Sequence, residues 1–140
     1  MTVKHLPAEA DLLAMPDDDY MNAEQLTFFK LRLESERQRV LLHLDELKGE
    51  ISRSDASGDE ADKAMREEDL RMLFRQIDRE SRLLPKIDAA LLRIKTGRYG
   101  YCIETDEPIG LPRLLLRPTA ERSIDAKMTQ EQREPMYRKA

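Results

Sequence analysis

Cysteine is almost absent from this chain: there is one in 140 residues, so no disulfide framework exists to hold it together. Tryptophan is missing altogether and aromatics make up only 5%, which rules out a large aromatic core. Two histidines, His5 and His43, stand alone, and no glycine-rich phosphate loop or Ser-His-Asp order accompanies them. That scarcity argues against an enzyme. No apolar run approaches the length of a membrane span, and the first residues lack the apolar core of a signal peptide. A soluble, cytoplasmic protein is expected. The net charge of −4 argues against a nucleic-acid footprint and direct sequence-specific binding.

What is abundant is charge, at 37% of residues. That balance suits long helices with solvated outer faces joined to a small globular part. Residues 1–22 read as an irregular arm, with Leu12–Leu13, Met15–Pro16 and the acidic run Asp17 to Asp19 ending in a turn. Asn22 followed by Gln25 forms a capping box and sets a helix start near Ala23. Leu33, Val40, Leu44, Leu47 and Ile51 then recur in steps of three and four, interrupted at Arg37, with Leu26 and Phe29 extending the stripe.

Turn-forming residues from Ser52 to Gly58 break that period. A second seam follows, in which Leu70, Ile77, Leu84 and Leu91 are seven apart, as are Leu73, Glu80, Ile87 and Ile94. Two such helices should fold back on each other, Ala23–Arg53 spanning roughly 46 Å and Asp59–Thr96 roughly 57 Å. Pro85 predicts a kink near Ser81–Leu84 rather than a helix end, at a cost of about 3 kcal/mol. Gly97 is a natural C-cap, with Lys95 at the negative end of the dipole. The expected fold is therefore mostly α: a long antiparallel coiled-coil hairpin over 23–97, with its tip near 52–64, and a small globular domain over 98–140.

That last segment has the spacing of a four-cysteine zinc finger with one cysteine left. Cys102 and Thr105 are separated by two residues, Ser123 follows after seventeen, and Ala126 after two more. Hydroxyls are poor zinc ligands and a methyl group is none, so the segment should fold without metal. No neighbour of Cys102 in sequence marks it as an activated thiol. Thr119 is a credible cap for a last helix running to about Glu134, and Leu111, Leu114 to Leu116, Ile124 and Met128 are expected to supply a small core.

The order of parts resembles the DksA/TraR family of bacterial transcription factors, most specifically in YMNAEQL at 20–26, DEADKA at 59–64 and GYC…IG…RPTAERSIDAK at 100–127. The resemblance implies a regulator whose hairpin enters the secondary channel of RNA polymerase and shortens the life of open promoter complexes. It implies a tip motif met here by Asp59, Asp62 and Ala64. It also implies a guanosine tetraphosphate site, completed with polymerase, at Lys86, Arg117 and Lys127 with Leu83 as an apolar neighbour; Pro85 beside Lys86 departs from the family's pattern. Cations suit a ligand with two diphosphates. Read without the family, Asp59 and Asp62 are helix-capping carboxylates and the three cations are solvated charges. The competing class is a coiled-coil adaptor without polymerase activity; the family reading expects a monomer.

Overall fold

The computed structural model describes residues 8–54 and 60–138. In chain order the elements are α1 (Glu9–Leu13), a 3-10 turn (Asp17–Asp19), α2 (Ala23–Ser54), α3 (Glu60–Ser81), α4 (Leu83–Thr96), α5 (Leu111–Leu116) and α6 (Ile124–Arg138). Among the described residues there is no β-strand, only an antiparallel bridge between Tyr101 and Pro108. No described helix is long and apolar enough to cross a membrane. The expectation of a mostly α fold built on a long helix pair holds.

Local chemistry explains where the long helices start and stop. The Asn22 side chain accepts from the Gln25 backbone N–H at 2.8 Å, capping α2 at its N-terminus. The Gln25 side chain reaches one residue further back than a standard box, accepting from the Met21 N–H at 2.7 Å. At the other end of the pair, Gly97 adopts a left-handed φ of 79°. The Arg98 N–H then returns to the Arg93 carbonyl at 2.9 Å and the Gly97 N–H to Ile94 at 3.3 Å, a Schellman motif. The helix breaks at Arg82, between α3 and α4. Pro85 has no N–H for the Ser81 carbonyl and its ring crowds that turn, so the interruption falls in the four residues expected, but as a helix end at Ser81 rather than the kink within one helix that the sequence suggests.

The described residues form two compact units, 8–33 with 89–138 and 34–54 with 60–88. The second is the hairpin. Arg37 pairs with Asp88, whereas His43, further along α2, faces Glu80 and Gln76. Partner numbers fall as α2 numbers rise, so the rods are antiparallel. Val40, Leu44, Leu47 and Ile87 are buried, while Leu70, Leu73, Ile77 and Leu84 are half-buried. The α2 stripe is the more enclosed of the two.

The first unit packs around Leu12, Phe29, Leu33, Tyr99, Cys102, Leu114, Ala120 and Ala126. Phe29 and Tyr99 meet with ring centroids 5.5 Å apart. Several sequence expectations are corrected here. The arm is not wholly irregular, since α1 turns Leu12 fully inward. Leu116, Ile124 and Met128 do not join the core: they are 88%, 58% and 54% exposed. On α6 the inward residue is Ala126, and positions two residues to either side lie about 200° round the helix. Finally, α6 starts at Ile124 rather than soon after Thr119, because Ser123 caps it, its Oγ accepting from the Ala126 N–H at 3.3 Å.

Candidate functional site

The hairpin's candidate groups lie at its tip and along its seam. Of the three expected tip residues, Asp59 lies outside the described residues, as does Gly58. Asp62 sits in the first turns of α3, with its side chain outside the described part, and Ala64 is exposed on the same helix. Further along, Glu80 occupies a seam slot and is only 13% exposed. Its Oε1 lies 3.8 Å from His43 Nδ1, and its Oε2 is buried without a hydrogen-bond partner. His43 Nε2 lies 3.5 Å from the Gln76 amide nitrogen. An amide nitrogen only donates, so a neutral His43 accepts there and carries its proton on Nδ1, toward Glu80.

The finger-shaped segment is built as two knuckles joined by hydrogen bonds. In the first, the Cys102 N–H donates to Glu107 at 2.8 Å and the Asp106 N–H returns to Cys102 at 2.9 Å, with Asp106 in a left-handed turn at φ 60°. The second knuckle, 117–126, is tied to the first at several points. The Ile103 N–H donates to the Glu121 carbonyl at 2.9 Å. The buried Tyr99 hydroxyl donates to the Pro118 carbonyl at 2.7 Å. Arg122 meets Glu104 at 2.9 Å. The arm anchors the same region: the Tyr20 hydroxyl donates to Gly100 at 2.6 Å and accepts from the Gly110 N–H at 2.9 Å.

At the centre stands Cys102, 1% exposed. Burial pushes its pKa up, but hydrogen bonds from the Thr105 side chain and from the backbone of Ser123, Glu104 and Thr105 outweigh it and bring the thiol down to about 7. The expectation that no neighbour in sequence activates the thiol is therefore corrected: the Thr105 side chain, three residues on, lowers it most, and Ser123, which only the fold brings near, adds to it. The thiol lines a cavity of about 540 Å³ shared with Arg93, Arg98 and Asp106.

These donors do not fit zinc. The Ser123 hydroxyl caps α6, the Thr105 hydroxyl serves Cys102 and faces the Glu107 N–H at 3.4 Å, and Ala126 offers a buried methyl group. One thiolate cannot complete a tetrahedral shell. Among the described residues no three His, Cys, Asp or Glu side chains cluster to hold a metal. The four expected nucleotide-binding positions divide between the units. Leu83, half-buried, and Lys86, exposed, open α4 in the hairpin unit. Arg117, exposed, and Lys127, half-buried and within 3.9 Å of Glu131, belong to the other.

Residues 25–94 match the family model of the DnaK suppressor protein DksA, N-terminal domain, and residues 97–132 match that of the prokaryotic dksA/traR C4-type zinc finger. The chain is 38% identical over 138 residues to the RNA polymerase-binding transcription factor DksA of Caulobacter vibrioides, covering 98% of this chain and 97% of that protein. To the protein of that description from Escherichia coli K12 it is 35% identical over 120 residues, covering 85% and 80%. The solved structure of transcription factor DksA2 from Pseudomonas aeruginosa is similar with a TM-score of 0.84 and 48% identity, over 91% of this chain and 99% of that one. These relatives are described as transcription factors, not enzymes. A hairpin unit matched by one family model, followed by a knuckled segment matched by the other with three of its four cysteines replaced, places this chain in the DksA/TraR family.

Proposed function

We propose that this protein regulates transcription by binding RNA polymerase, inserting its hairpin into the secondary channel and destabilising open promoter complexes. The observation that carries the reading is the antiparallel hairpin unit, matched by the family model and by relatives described as polymerase-binding. Its α2 portion, residues 34–54, is roughly 30 Å long, and its own apolar seam stiffens it. Asp59, Asp62 and Ala64 are the tip residues that act there: carboxylates suit a catalytic centre rich in cations and basic groups, and a small Ala64 permits close approach.

Within this reading, residues 1–22 anchor, 23–97 probe, and 98–140 complete the body. The chain acts in the cytoplasm as a monomer, with guanosine tetraphosphate as effector at Lys86, Arg117, Lys127 and Leu83. The knuckled segment folds without zinc, its two halves joined by Tyr99–Pro118, Ile103–Glu121 and Arg122–Glu104.

The test is transcription in vitro from a ribosomal RNA promoter by purified polymerase. Output should fall as the protein is added and fall further with guanosine tetraphosphate. Unchanged output at saturating protein sinks the polymerase reading; equal inhibition with and without the nucleotide sinks the effector site alone.

A further inference from the structure

Leucine-rich seams hold helices together without saying where along the axis they should stop, because a shift of one heptad places leucine against leucine again. The hairpin's stripes are of this kind, with Val40, Leu44 and Leu47 on one rod and Leu70, Leu73, Ile77, Leu84 and Ile87 on the other. Two polar interruptions break the monotony. Arg37 meets Asp88 at 2.7 Å in an exposed pair. His43, Gln76 and Glu80 form an inner layer, with the Glu80 carboxylate 13% exposed and its Oε2 lacking a hydrogen bond. So enclosed a carboxylate is costly to pair badly.

We infer that the His43–Gln76–Glu80 layer fixes the axial register of the two rods and so positions the far end of the hairpin. His43 and Glu80 face each other across antiparallel rods, so a slip of seven residues brings Glu80 opposite position 36 in one direction and position 50 in the other. Both are glutamates, Glu36 and Glu50. The slip toward position 50 therefore sets a second carboxylate against an enclosed one, the slip toward position 36 exchanges His43 for the neighbours Glu36 and Arg37, and both separate Arg37 from Asp88. Only the observed register sets His43 beside Glu80 and Arg37 beside Asp88 together. The layer is a device for specificity, and apolar side chains in its place should hold the rods at least as strongly.

The consequence for transcription rests on the polymerase reading, but the register itself is measured without polymerase. The full chain carrying Cys102→Ser takes spin labels at two exposed positions, through Gln38→Cys on α2 and Glu67→Cys on α3. The labelled chain should give one inter-rod distance. Adding His43→Leu, Gln76→Leu and Glu80→Leu should keep the melting temperature at or above its former value while a second distance appears, displaced by roughly 10 Å, the rise of seven residues. Restoring His43 and Glu80 over Gln76→Leu should return the single distance. In the transcription assay the triple variant should need several-fold more protein for the same inhibition. A single, unshifted distance in the triple variant overturns the inference. Should that variant fail to fold, Glu80→Leu alone is measured, with the same two outcomes deciding.

Discussion

Replacing Cys102 with serine removes an ionisable group from the middle of the knuckled segment while keeping its size and hydrogen-bonding capacity. The native thiol is drawn from 9.0 down to about 7, against the effect of burial, by the Thr105 side chain and the backbone of Ser123, Glu104 and Thr105. An acid whose pKa is lower in the folded state binds fewer protons there than when unfolded. The stability it contributes is fully present above pH 9, and it is lost as pH falls through 7. Two pH units, the net shift with burial already counted, correspond to about 2–3 kcal/mol. Urea melts of the native chain and of Cys102→Ser, taken between pH 6 and 9.5, isolate this contribution as the difference between their unfolding free energies. That difference should widen with pH, by up to that amount and chiefly between 7 and 9. Parallel curves across the range would refute the reasoning, since they mean that the thiol ionises no more readily in the fold than in the open chain.

Tyr99→Phe should cost about 1–3 kcal/mol in the same melts, because it leaves the buried Pro118 carbonyl without its donor. Gly100→Ala should cost at least about 1–3 kcal/mol: the backbone sits at φ 92°, and a methyl group there would lie 2.6 Å from Met21 Cγ. A smaller loss would mean that the arm yields easily. Asn22→Ala should lower stability by about 1 kcal/mol through the lost cap on α2, read by thermal melting. A strong chelator should leave the melting temperature unchanged and purified protein should carry no stoichiometric zinc; a chelator-induced collapse contradicts the metal-free fold.

The parts written in local chemistry were legible in the sequence. The Asn22 cap, the Gly97 stop and the break before Pro85 each depend on residues within one turn of the chain, and each lies where its residue types place it. The seams were legible for the same reason, being periodic. What the sequence hid depends on the third dimension. Leu116, Ile124 and Met128 look like core residues, but α5 has only six residues and spends its inward face on Leu114 and Leu115, while α6 turns Ala126 inward. The lowered thiol pKa draws on Ser123, twenty-one positions away in the chain. The polar layer had a visible trace, a glutamate in a heptad slot, but its partners could be assigned only once the register was known. The tip residues rest on the family resemblance, and the finger's lost ligands on chemistry: three cysteines' worth of missing thiols is plain in any reading.

Negative charge at the hairpin tip is what acts on polymerase in the proposed function. The direct measurement is the lifetime of open complexes at a ribosomal RNA promoter, with the native chain and with Asp59→Asn plus Asp62→Asn, both checked for equal melting temperature. The native chain should shorten that lifetime and the double variant should leave it near its value without protein. A double variant as potent as the native chain would contradict the claim.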